Sequence, residues 1–139
     1  MDKVHFSSKT DDWYTPQDFY DKLNSEFNFT LDVCASIENA KCSKFFTEAD
    51  NGLVQKWYGV CWMNPPYGRE ISKWTKKAVE EFKAGCTVVC LVPSRTDTIW
   101  WHELTEHATQ IRFIKGRLKF GGSKIPAPFP SAVIVLKHD

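Results

Sequence analysis

Four consecutive residues, Asn64-Pro65-Pro66-Tyr67, carry groups suited to one kind of chemistry. With proline near 5% of residues, this tetrapeptide arises by chance on the order of once in a few thousand chains of such length. A strand-ending turn accounts for the two prolines, which cannot continue a sheet. It does not account for an asparagine before them and an aromatic after them. Proline confines the residue before it to extended backbone, so Asn64 and Pro65 are held open. Neither proline has an N–H, which leaves local carbonyls available as acceptors. The Asn64 side-chain oxygen and a backbone carbonyl together grip a planar amino group by its two hydrogens. Tyr67 then offers a stacking face to the ring that bears the amine.

The exocyclic amine of adenine is such a group, and a poor nucleophile, because its lone pair is delocalised into the ring. Two acceptors that favour a pyramidal nitrogen localise that lone pair in the transition state, where stabilisation accelerates reaction. No strong base is needed before attack, since the proton becomes acidic only as the new bond forms.

The elements that must position this motif follow from periodicity. Thr15-Pro16-Gln17-Asp18 reads as a helix start, with Thr15 as cap, Pro16 at the first helical position and Asp18 reaching back. Phe19, Tyr20, Leu23 and Phe27 recur at helical spacing behind it. Strands are expected over 29–33, 44–47, 59–63, 87–92, 110–114, 117–120 and 131–136, with a short helix over 37–42. A longer helix is expected over 69–83, with Ile71, Trp74, Ala78 and Phe82 on one stripe. Ser94-Arg95-Thr96-Asp97 reads as a capping box opening a helix to about His107. Strands alternating with helices predict an α/β fold with a mostly parallel sheet and an antiparallel strand near the C-terminus. In such sheets ligands bind beyond the carboxyl ends of the strands, which places Asp32, Asn64 and Pro93 on one edge.

The 139 residues and 16.0 kDa predict a single domain over 1–139, with no room for a separate target-recognition domain. The N-terminus has no hydrophobic signal region, so a cytoplasmic location is expected. Five cysteines form no C-x-x-C pair and the four histidines are scattered, so no metal is expected. His102 and His107 read as bystanders, and Trp100 and Trp101 as one core and one partly exposed residue. The net charge of +1 is a sum of opposites. Residues 1–63 hold 6 Lys/Arg against 10 Asp/Glu, and residues 64–139 hold 12 against 7. The segment with Arg112, Lys115, Arg117, Lys119 and Lys124 has no acid in it. Lysines along a strand guard edges against aggregation, but beside a motif that grips a nucleobase amine, phosphate contact is the better reading.

Taken in order, these segments resemble the bacteriophage-type DNA N6-adenine methyltransferases, the small Dam-like family that uses S-adenosylmethionine. The resemblance rests on Asp12-Trp13-Tyr14-Thr15-Pro16, Leu31-Asp32-Val33-Cys34-Ala35-Ser36 and Phe46-Thr47-Glu48-Ala49-Asp50-Asn51-Gly52-Leu53. It continues through Trp62-Met63-Asn64-Pro65-Pro66-Tyr67-Gly68, Val92-Pro93-Ser94-Arg95-Thr96-Asp97-Thr98, Gly116-Arg117-Leu118-Lys119-Phe120 and Ala127-Pro128-Phe129-Pro130-Ser131-Ala132. It implies a Rossmann-like methyltransferase domain acting on DNA with the target base flipped out. It also implies Asn64, Pro65, Pro66 and Tyr67 as the catalytic loop. Thr15 and Pro16 would sit near the methionine end of the cofactor, Asp32, Cys34 and Ala35 against its amino-acid portion, and Asp50, ahead of Glu48, near the adenosine. Arg95, Lys115, Arg117 and Lys119 are the expected DNA contacts, and Phe129 a border of the base pocket. The chain departs from many methyltransferases in having Ala35-Ser36-Ile37 where a glycine-rich G-x-G follows the first strand. S-adenosylmethionine has no phosphate to cradle. Methylation of protein glutamine amides by the same tetrapeptide, or a non-catalytic nucleic-acid-binding module on the same fold, are the rival readings.

Overall fold

The computed structural model describes residues 14–120 and 126–139. Asp12, Trp13 and Lys124, singled out above, lie outside these. Three helices are described: α1 (Gln17–Phe27), α2 (Ile71–Lys83) and α3 (Ile99–Thr105). The strands are β1 (Leu31–Asp32), β2 (Val60–Met63), β3 (Thr87–Pro93), β4 (Gln110–Phe113) and β5 (Ser131–Leu136). They form one sheet in the order β1-β2-β3-β5-β4. β1, β2 and β3 pair in parallel, while β5 runs antiparallel to both of its neighbours. Among the described strands, four therefore point one way and only β5 opposes them, as the α/β reading predicts.

The core follows from strand composition. Val88–Val92 of β3 and all six residues of β5 are buried, the pattern of strands covered on both faces. α1 lays Tyr20 edge-on to Trp62 of β2, with ring centroids 5.4 Å apart. α2 packs on β3 and α3. On α2, buried Glu81 accepts the Trp57 N–H and pairs with Lys77 at 2.9 Å. Trp101 is buried and Trp100 partly so, as their adjacency on a helix dictates.

Several boundaries differ from expectation, each for a local reason. The 44–47 strand shrinks to one bridge, Phe45 to Asp32. The expected helix over 37–42 is a single turn. Ser36 and Asn39 exchange side-chain and backbone bonds there, and the Lys41 N–H goes to the Asp32 carboxylate instead of continuing a helix. No strand forms over 117–120; Gly116 turns the chain with φ of 78°. The helix expected to open at Ser94 starts at Ile99, capped by Thr98, because the Ser94 N–H is drawn to the Pro130 carbonyl. Thr15 does not cap α1 either: Pro16 stands at the cap position, with no side-chain cap bond.

Gly52, in a short 3₁₀ turn over Gly52–Val54, is required by close approach. A Cβ there would lie 2.2 Å from the Val33 carbonyl oxygen and 3.1 Å from the Trp74 ring. Backbone cannot yield as a flexible side chain would. Gly52→Ala is expected to destabilise the fold by about 2 kcal/mol or more, measured by urea unfolding; an unchanged midpoint would show that the two segments separate freely.

Candidate active site

The carboxyl ends of β1 and β2 open into a cavity of about 570 Å³, within the range of small-molecule sites. Asp32, Cys34 and Ala35 form its β1 side, and Asn64, Pro65 and Pro66 its β2 side. The segment carrying Glu48 and the first turn of α2 with Trp74 complete the walls. β1 and β2 are neighbours in register, Asp32 opposite Trp62, so the two loops leave the sheet side by side.

Asp32 is 2% exposed and accepts the N–H groups of Lys41 at 3.0 Å and Cys34 at 3.3 Å. Burial outweighs these bonds and pushes its carboxyl up to about 6. The ionised group is thus held at a cost of roughly 3 kcal/mol at neutral pH, which a cation placed in the cavity would offset. The Lys41 ammonium bonds instead to Gln17 Oε1 at 2.8 Å, and burial lowers its own pKa.

Asn64 is gripped from both ends. Its Nδ2 donates to Thr15 Oγ1 at 3.0 Å, and Tyr67 donates its hydroxyl to Asn64 Oδ1 at 2.7 Å. The same phenol lies 3.1 Å from the Leu91 carbonyl of β3. Burial raises the Tyr67 pKa well above the ordinary phenol range, so the hydroxyl remains a donor. A carbonyl oxygen has two lone pairs, and the Tyr67 bond takes one of them at Oδ1.

The expected site residues divide. Thr15, Asp32, Cys34, Ala35, Asn64, Pro65 and Pro66 meet at the cavity. Pro16 faces only a shallow adjoining groove, shared with Lys119. Asp50 is not in the cavity wall: its carboxylate accepts the Thr47 N–H and hydroxyl, closing a surface turn, and Glu48 borders the cavity instead. Tyr67 is 5% exposed and lies outside the cavity wall. Its ring packs against Phe129 and Phe120 in T-shaped contacts at 5.5 and 6.2 Å. Arg95 is exposed and sits over the Phe129 ring at 5.8 Å, while Lys115, Arg117 and Lys119 are exposed. Arg112 leaves the basic group, because both its terminal nitrogens pair with Glu26 of α1, at 2.8 and 2.6 Å.

Trp74 and Lys41 are among the cavity residues that escape the sequence reading. Trp74 reads as part of an apolar helical stripe, and nothing in its spacing says that it borders a cavity. Lys41 is one of two lysines in a polar loop, brought in as its N–H binds Asp32. Among the described residues, no group of three or more His, Cys, Asp or Glu side chains is placed to hold a metal.

An asparagine-led loop thus borders a cavity at the strand ends. Residues 4–133 match the family described as DNA N-6-adenine-methyltransferase (Dam). The chain is a member of that family. It is 33% identical over 110 residues to the DNA N-6-adenine-methyltransferase of Escherichia phage T1, covering 76% of this chain and 45% of that protein. It is also 33% identical over 110 residues to the protein of the same name from Haemophilus phage HP1 (strain HP1c1), covering 77% of this chain and 64% of the relative. The chain thus spans about half to two-thirds of the length of these curated relatives.

Because the folded carboxyl of Asp32 titrates above its unfolded value near 3.9, its stabilising protonated form is fully present below about pH 4. That contribution is lost as pH rises through about 6. Carbon-13 NMR of the Asp32 carboxyl is expected to show a midpoint of about 6; an ordinary carboxylate midpoint would contradict the desolvation account.

Proposed function

We propose that this chain transfers the methyl group of S-adenosylmethionine to N6 of adenine in DNA, from a Rossmann-like catalytic domain spanning residues 1–139. The observation that carries this reading is the placement of Asn64, the amide of an Asn-Pro-Pro-Tyr loop, in the wall of a cavity that also presents buried Asp32. The names of the phage relatives support the same substrate and position.

The cavity fits the proposed cofactor by charge and size. Asp32 and Glu48 offer carboxylates to a cationic ligand with hydroxyls, and Trp74 offers aromatic surface. When bound, the cofactor supplies an electrophilic methyl group on a sulfonium. Asp32 holds the cationic amino-acid end, and the loop from Cys34 to Ala35 shapes the wall against it. Asn64 Oδ1 and the Pro65 carbonyl accept the two hydrogens of the adenine amine, drawing its nitrogen toward the pyramidal geometry of attack. Pro66 stiffens the loop, and Tyr67 holds Asn64 from below. The adenine, flipped from the helix at a cost of a few kcal/mol, is received beside the Tyr67–Phe120–Phe129 ring cluster under Arg95. Lys115, Arg117 and Lys119 meet the phosphates.

Three measurements test this. Asn64→Ala should abolish methylation of duplex oligonucleotides while leaving calorimetric affinity for S-adenosylmethionine nearly intact; full activity would remove Asn64 as the acceptor. Transfer to a protein glutamine instead of DNA would move the substrate. The affinity for S-adenosylmethionine should rise between about pH 5 and 7, as binding favours ionised Asp32, and Asp32→Asn should flatten that rise. Combined alanine substitution of Lys115, Arg117 and Lys119 should weaken DNA binding across all sequences. It should also reduce the salt slope by roughly 0.9 for each phosphate that is no longer neutralised; an unchanged slope would place the DNA elsewhere.

A further inference from the structure

We infer that Thr15 is a positioning residue for the methyl-transfer step: its hydroxyl holds the Asn64 amide with the oxygen turned toward the base. The inference rests on the N6-adenine reading above. It starts from a broken local rule. Thr15-Pro16-Gln17-Asp18 has the composition of a capped helix start, yet α1 has no side-chain cap, and its first turn closes on the Pro16 carbonyl. The hydroxyl that should cap is used elsewhere. Thr15 is 5% exposed, and its Oγ1 accepts from Asn64 Nδ2 at 3.0 Å across 49 positions of sequence. Local preferences overridden in this way mark sites where function sets the geometry.

The bond has a direction that matters. Nδ2 lies on the Thr15 side, and Oδ1 on the side of Tyr67 and its ring cluster with Phe120 and Phe129. A flipped amide would present hydrogens to the adenine amine, two donors facing each other. Tyr67 alone does not prevent the flip, because a hydroxyl can donate or accept, and the phenol has the Leu91 carbonyl within reach at 3.1 Å. Thr15 borders the cavity. A ligand acceptor there would take the Thr15 hydroxyl hydrogen and leave Oγ1 only its lone pairs, with which it accepts from Nδ2 and fixes the amide. Filling the cavity would then set the orientation of Asn64.

The test compares Thr15→Val, nearly isosteric and without the hydroxyl, with Thr15→Ser, which keeps it. At saturating S-adenosylmethionine and duplex, kcat should fall about tenfold to a hundredfold in Thr15→Val, with KM for DNA little changed, and recover in Thr15→Ser. Thr15→Ala repeats the comparison if valine lowers the melting temperature. Three results would overturn the inference: an unchanged kcat in Thr15→Val, a loss removed by more cofactor, or an equal loss in Thr15→Ser. If the wild-type chain leaves adenine unmethylated, the reaction reading fails separately. The positioning role is then decided by side-chain amide NMR of Asn64 with S-adenosylmethionine added. Its hydrogen-bonded signals should persist in Thr15→Ser and collapse in Thr15→Val, and a spectrum unaffected by valine overturns the role.

Discussion

The shape of the cavity depends on one buried carboxylate. Asp32 ends β1 out of reach of solvent, and two backbone N–H groups, from Cys34 and Lys41, close on it. Those bonds curl the chain from 33 to 41 around a single point. They stop a helix from forming there and bring Lys41 to the cavity wall. They do not repay the full cost of taking the charge out of water, which is why the carboxyl sits at about 6. A buried acid that costs stability and faces a cavity is a candidate for function rather than architecture. The same loop makes a glycine-rich turn unnecessary, since its curvature comes from a side chain rather than from backbone freedom.

The second constraint is the coupling of three distant segments at Asn64. Thr15 precedes α1, Asn64 follows β2, and Tyr67 reaches the Leu91 carbonyl of β3. Each bond is ordinary. Together they place a short amide against the parallel half of the sheet, where a misplacement of about 1 Å can cost a hundredfold in rate.

Much of this is legible in the sequence. The long apolar runs of β3 and β5, the amphipathic α2 and the Asn-Pro-Pro-Tyr loop announce themselves through periodicity and composition, and the strand ends place Asp32 and Asn64 together. What is not legible depends on long-range competition for hydrogen bonds. Thr15 has the right type to cap a helix and is claimed by Asn64. Asp50 and Glu48 are two acids in one loop, and only the folded turn at Thr47 decides which faces the cavity. Arg112 stands in a run of cations and is taken out by Glu26, 86 positions away. The ring of Tyr67 suggests stacking, whereas its hydroxyl is structurally engaged as well.

The Arg112–Glu26 pair has a mechanical side. α1 touches β2 through Tyr20 and Trp62, and reaches β4 through Glu26 and through Phe27, whose ring lies 5.3 Å from the Arg112 guanidinium. Between those strands lie β3 and β5, where the sheet changes from parallel to antiparallel pairing. The helix is therefore a diagonal brace across the seam of the sheet, fastened by rings at one end and by an ion pair at the other. It resists sliding of one half past the other. Since the ion-paired end is partly exposed, added salt loosens that fastening while leaving the aromatic one intact.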